Sequence, residues 1–195
     1  MIAVALAVLL TLAWAWRDWA NLSTLRLPDT DDAVRLQQIR DWLSGQSFAD
    51  LTQYRLGAGG IAMHWTRLAD LVPGGLIALL TPLIGRHGAE VAAVIVWPGL
   101  LFAAALLLTA RIARVMLVSV PTALVIAALA FPASALFLPG RIDHHGLQLV
   151  LLLWLVAAVL HPRGSHSGAA IGLLIAASLV VGVETAPFLA LAVVI

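Results

Sequence analysis

The sequence predicts an all-α protein: a polytopic membrane helical bundle of about five spans, with juxtamembrane helices in a long first extracytoplasmic loop. Three observations carry that prediction. Hydrophobic residues make up 62% of the 195 and charged residues only 11%, where a soluble domain carries about 25% charged residues. Mean hydropathy is +1.02, as in chains solvated by lipid. Five apolar stretches approach the roughly 20 residues a helix needs to cross a bilayer. The formal net charge of +1 predicts no nucleic-acid partner, and the absence of Cys excludes disulfides and thiolate metal sites.

The N-terminal "MIAVALAVLLTLAWAW" lacks the basic start and small-residue cleavage site of a signal peptide, so 2–20 reads as a retained first span. The further spans are 89–110, 115–138, 146–161 and 168–184. The fourth is short unless it borrows from its flanks. Pro98, Pro121 and Pro132 fall inside spans, which packed membrane helices tolerate. "GGLIALLTPLIG" (74–85) covers only about 18 Å against about 30 Å of hydrocarbon. It reads as a juxtamembrane or re-entrant helix. The chain stops within the apolar "PFLALAVVI". Residues 1–195 therefore read as one transmembrane domain, the front of something longer, with 21–88 as its first extracytoplasmic loop.

Charge sets the sidedness. Short basic connectors mark the cytoplasm, and here they are "RIAR" (111–114) and "HPRGSH" (161–166). The polar stretch 21–72 and "LPGRIDHHG" (138–146) then both lie outside. Within the first, "PDTDDAVRLQQIRDWLSGQ" reads as a capped helix start, with acids suited to the helix dipole. Leu36, Ile39, Trp42 and Leu43 form an apolar stripe suited to lying on a bilayer. "GAGG" (57–60) is a flexible break, and "MHWTRLADLVP" begins another short helix that ends before Pro73.

The polar clusters each carry two readings. Asp29, Asp31 and Asp32 cap a helix, or form a carboxylate cluster for a hard divalent cation or a general base. Asp143 caps the helix starting near His144, or faces the first cluster as a second carboxylate. His144 and His145 are ligands, phosphate-binding groups or interfacial side chains. Arg141 is a snorkelling anchor or a phosphate clamp. Glu184 follows about twenty uncharged residues, and an ionisable group at membrane depth points to function. Counting from Ser167, it rises about 26 Å towards the outer boundary, with Arg141 as a possible structural partner. His64 and Arg67, at i and i+3 of one helix, either hold a lipid phosphate or touch headgroups. The spacing argues against a haem, because His144 and His145 lie at the other end of a helix from His161 and His166 and the pairs cannot clamp one haem.

Taken in order, these pieces resemble the GT-C glycosyltransferase superfamily, which includes oligosaccharyltransferase catalytic subunits, protein O-mannosyltransferases and lipid A aminoarabinose transferases. "DDAVRLQQIRDW" resembles the first-loop motif, an Asp about nine residues ahead of an Arg-Asp pair. "RIDHHGLQLVLLL" resembles the second motif of the oligosaccharyltransferases, and "GVETAPFL" the polar turn between the fifth and sixth spans. "DLTQYRL" followed by "MHWTRLADL" is similar to a bacterial branch of this layout. The likeness covers nearly all of this chain but only the front of such an enzyme. Two features depart from it. The second motif is Asp-His-His where the oligosaccharyltransferases carry two acids, so a metal site there would need His145 as the substitute. No Pro-Pro pair opens the juxtamembrane helix.

The resemblance implies an inverting transfer of sugar from a polyprenyl phosphate or diphosphate donor to an extracytoplasmic acceptor, in a bacterial inner membrane. Asp31, Asp32 and Asp143 would be catalytic. His64, Arg67, Arg141 and Glu184 would bind substrate. Asp31, Asp143 and His145 would hold a divalent cation, Mg or Mn. Partners would be the lipid-linked sugar donor and membrane lipid. Two rivals stay open: a transporter or flippase with an ion-coupled acidic site at Glu184 and Asp143, and a non-catalytic membrane assembly protein. The last needs no meeting of the first and second acidic motifs.

Overall fold

A single glycine divides the longest element. In the computed structural model, which describes residues 1–131, 133–160 and 165–194, helix α4 runs from Leu71 to Val115. Gly85 inside it has φ 73° and ψ 163°, a conformation that a Cβ disfavours and glycine accepts. The break leaves a first arm, 71–84, and a second, 86–115. The sequence segment 74–85 is thus a helix of its own, distinct from the membrane-length arm. On the second arm the interval from Glu90 to Arg111 carries no charge and covers about 31 Å, close to the thickness of a bilayer core.

The described residues form eight α-helices and almost no strand. Before α4 come α1 (Ile2–Arg17), α2 (Trp19–Leu22) and α3 (Thr30–Leu43). A two-residue ladder pairs β1 (Thr52–Gln53) with β2 (Ile61–Ala62), and a 3-10 turn spans Arg67–Asp70. After α4 come α5 (Val120–Leu129), a 3-10 turn (Ala133–Phe137), α6 (His145–Val159), α7 (Ser165–Val181) and α8 (Ala186–Val194). One helical segment, Arg67–Val115, is long and apolar enough to cross a membrane. Ile2–Arg17, Val120–Leu129, His145–Val159 and Gly168–Val181 are apolar but shorter.

Small side chains let α1 and α4 approach. Ala3, Ala7, Thr11 and Ala15, four residues apart, form the buried stripe of α1. A Cβ on Gly99 of α4 would meet Thr11 at 3.0 Å. Such small-residue seams are how apolar helices pack without a water-driven force. The helices run antiparallel: Met1 and Ile2 neighbour Leu107 and Arg114, while His87 Nε2 donates to the Ser23 carbonyl at 2.9 Å. Phe102 stacks between Trp14 (5.3 Å) and Phe137 (5.5 Å), joining α1, α4 and the turn before α6.

Helix α3 lies against both arms of α4. Its residues Ile39 and Trp42 close around Gly74 of the first arm. Arg40 donates to Glu90 of the second arm at 2.6 Å, and Arg86 donates to the same carboxylate at 2.8 Å.

Four expectations are corrected. The stretch 115–138 is not one helix: α5 ends at Leu129, and a 3-10 turn follows. Pro121 accordingly sits in the first turn of α5, where its missing N–H is harmless. The stripe Leu36–Ile39 faces α4 and not the bilayer, with both residues buried. "MHWTRLADLVP" does not form a helix ending before Pro73; a 3-10 turn starts at Arg67 and α4 continues through Pro73. The span 168–184 stops at Val181. Pro132 and residues 161–164, with His161 and Arg163 of the second basic connector, lie outside the described residues.

The α3–α4 contact yields a paired test. A Cβ on Gly74 would meet the Trp42 ring at 2.6 Å, whereas one on Gly75 would meet nothing within 4 Å. Gly74→Val is expected to lower stability by about 1–3 kcal/mol through overpacking. Gly75→Ala is expected to hold or raise it by about 0.5–1 kcal/mol. Thermal unfolding in detergent reads both, and equal effects would contradict the packing described.

Candidate functional site

The acids of the first loop and of the second motif meet. Asp29 is the cap of α3, its carboxylate accepting the Asp31 N–H at 2.9 Å. One turn on, Asp32 is fully buried. Its Oδ1 accepts the main-chain N–H groups of Ile142 (2.7 Å) and Asp143 (2.9 Å). The turn before them depends on Gly140, with φ 93°, whose N–H reaches the Val94 carbonyl at 2.8 Å. A Cβ there would meet the Pro28 ring at 2.9 Å, so residues 28 and 140 lie in contact.

Arg141 gathers three carboxylates. Its guanidinium lies 3.1 Å from Asp29 Oδ2, 3.3 Å from Asp32 Oδ2 and 3.4 Å from Asp143 Oδ2. Asp143 Oδ1 meanwhile caps α6 by accepting the His145 N–H at 2.9 Å. The hydrogen bond from the Asp31 N–H, then Arg141, holds the Asp29 carboxyl below its usual range. Burial pushes Asp32 up to about 6 despite the pull of Arg141. Fully ionised, the three acids and one guanidinium leave two negative charges uncompensated.

A second chain of directional bonds starts at Arg35 on α3. Arg35 and Asp70 form a buried ion pair at 2.7 Å, and the guanidinium lies 5.1 Å from the Trp65 ring centre. Burial pushes the Asp70 carboxyl up, and Arg35 opposes it. Arg35 also faces His144 Nδ1 at 3.3 Å. A guanidinium only donates, so His144 Nδ1 accepts and its proton sits on Nε2. That N–H donates to Glu184 Oε1 at 3.3 Å. Glu184 Oε2 accepts from Gln148 Nε2 at 2.5 Å. The Gln148 oxygen therefore faces His145 Nδ1, at 3.1 Å, and accepts a hydrogen bond from its N–H. His145 Nε2 is left as a bare lone pair. Burial and then Arg35 depress the His144 pKa, against Glu184, which keeps the ring neutral.

The sequence candidates divide accordingly. Asp32, Arg141, Asp143, His145 and Glu184 come together. Glu184 partners His144 and Gln148, not Arg141. The Asp31 carboxylate makes no hydrogen bond or ion pair among the described residues; only its main-chain N–H is used. His64 is exposed in a bend, its ring 5.5 Å from Trp65, which in turn lies 6.0 Å from His144. Arg67 is buried and donates to the Gln38 carbonyl (2.9 Å), Gln46 Oε1 (2.8 Å) and the Asp50 carbonyl (2.7 Å). It fastens the loop after α3 and does not face outward as a phosphate clamp. Arg35, Trp65, Asp70 and Gln148 were not singled out by the sequence. The readable signal was Arg35, one turn after Asp32 on the same face of α3.

The metal-ligating capacity is narrower than proximity suggests. Donor atoms of Asp143, His144 and His145 lie within 4.8 Å of one another. His144 has no lone pair to give, since Arg35 occupies it. Of that group Asp143 and His145 Nε2 are left as donors, one carboxylate and one imidazole nitrogen, beside the buried Asp32 Oδ2, which faces Arg141 at 3.3 Å. Asp31 does not belong to the group.

No protein-family model, curated protein or solved structure matches the chain.

Two measurements check this geometry. The Asp32 pKa is raised by burial from 3.8 to about 6, so its contribution favours the folded state at low pH and is lost as pH rises through that interval. Relative to wild type, Asp32→Asn should gain about 3 kcal/mol between roughly pH 4 and pH 7; a flat difference in thermal stability would refute the burial argument. In ¹⁵N-histidine NMR near neutral pH, His144 should carry its proton on Nε2 and His145 on Nδ1. Gln148→Leu should free His145 to mix tautomers while His144 stays fixed.

Proposed function

We propose that the chain is the membrane part of a GT-C-type glycosyltransferase in a bacterial inner membrane, moving sugar from a polyprenyl (di)phosphate donor to an extracytoplasmic acceptor. The observation that carries the reading is the meeting of Asp29, Asp32 and Asp143 on Arg141, beside the bare His145 Nε2, at one end of an apolar bundle. A lipid-linked donor keeps its phosphate at the lipid–water boundary, so its chemistry belongs at such an end. Leu9, Leu129, Leu173 and Leu191 are exposed on the bundle's flanks, which supports lipid on its sides and a crossing by several helices. The uncharged interval on α4 sets the acids about one bilayer away from Arg111 and Arg114, which supports an extracytoplasmic site.

The transfer is balanced within these groups. The acceptor heteroatom attacks the anomeric carbon, its proton passes to His145 Nε2 or to Asp143, and the carbon–oxygen bond to phosphate breaks. Arg141 would donate a hydrogen bond to an oxygen of the departing lipid phosphate. Exposed His64 lies on Trp65, which in turn lies against His144, and would offer the donor a further polar contact. Asp32 holds the main chain of the second motif in register. A divalent cation, Mg or Mn, on Asp143 and His145 would add Lewis-acid stabilisation of the leaving group.

The test is transfer from a polyprenyl-linked sugar by the purified full-length protein. Asp32→Asn, Asp143→Asn and His145→Gln should each lose about 100-fold or more, with helical content retained by circular dichroism. Full activity in all three would dismiss the reading.

A further inference from the structure

The end of the bundle far from the acids has its own chemistry. Every Asp and Glu lies in 18–90, at 143 or at 184. Arg35, Arg40, Arg55, Arg67, Arg86 and Arg141 each meet a carboxylate. Arg17 and Arg26, like Arg111 and Arg114 at the other end of α4, meet none among the described residues, and Arg111 and Arg114 are both exposed. Beside them a cavity of about 400 Å³ opens between α1, α4 and α5. Its walls are apolar (Ile2, Leu107, Ala110, Val120, Leu124), its one charged side chain is that of Arg114, and Met1, which carries the α-amino group, also lines it. The volume lies within the range of ligand sites.

We propose that this cavity binds one anionic glycerophospholipid, its phosphate on Arg114 and the upper part of an acyl chain against Ile2, Leu107 and Leu124. Free phosphate would leave the apolar walls unused. A zwitterionic lipid would gain less from an unpaired guanidinium, since each juxtamembrane cation favours an anionic headgroup by about 1 kcal/mol. The proposal rests on the reading of the chain as a membrane protein and is independent of sugar transfer.

Native mass spectrometry of the full chain, released from nanodiscs of equal phosphatidylglycerol and phosphatidylcholine, tests it. One phosphatidylglycerol should be retained per chain, in preference to phosphatidylcholine. Arg114→Gln should cut that retention about fivefold, and Arg114→Lys should keep most of it. Ile2→Trp, which narrows the mouth without changing charge, should also reduce it. Arg17→Gln, an equal loss of charge at the opposite end, should leave it unaltered. Unchanged retention in Arg114→Gln, or equal loss in Arg17→Gln, overturns the site. A chain that stays monodisperse in buffer without lipid or detergent overturns the membrane reading with it. Loss of sugar transfer with lipid retained would touch only the proposed enzyme.

Discussion

One buried carboxylate makes two distant segments a single object. Asp32 accepts two main-chain N–H groups from positions 110 and 111 residues away, and it does so with no exposure to water. Hydrogen bonds to a charged acceptor contribute about 1.5–3 kcal/mol each, set against the large cost of removing an ion from water. Arg141 offsets part of that cost at 3.3 Å. From this junction the rest follows in sequence. Ile142 is buried beside α3, Asp143 is turned to cap α6, and the first turn of α6 presents His145 towards Gln148. Taking away Arg141 leaves the Asp32 charge uncompensated inside the protein, whereas taking away Asp32 leaves Arg141 with Asp29 and Asp143.

The imidazoles show a different kind of control. Nothing in the arrangement depends on a strong pair between the two histidines. Direction alone decides: a group that can only donate stands at one end, and each amide or carboxylate passes the polarity on. His144 is spent within that chain, whereas His145 emerges with an open nitrogen. Two adjacent histidines of one sequence motif therefore have opposite tautomers and different chemical capacities.

Much of this was legible in the residues, and the failures are instructive. The cap at Asp29, the start of α3 at Thr30 and the separateness of 74–85 follow from local chemistry, and local chemistry is what a sequence displays. The broken stretch after Val115 escaped because hydropathy measures apolarity, not continuity of hydrogen bonds. The stripe of α3 was assigned to lipid because an apolar face reads alike whether a bilayer or another helix covers it. The pairing of His64 with Arg67 assumed a helix through Thr66. That residue is extended, with φ −70° and ψ 148°, and its hydroxyl caps the next turn. That Arg35 pairs with Asp70, and Arg141 with Asp29 and Asp32, was not readable, because those partners come from segments far along the chain.

Glu184 lies in the turn after α7, so the wall it supplies is the last to be synthesised. On a ribosome, Asp32 emerges first, Arg141 and Asp143 much later, and Glu184 later still. The guanidinium cluster can close while α7 is still unmade. Until the nascent chain turns back past Val181, His144 and Gln148 border an open seam.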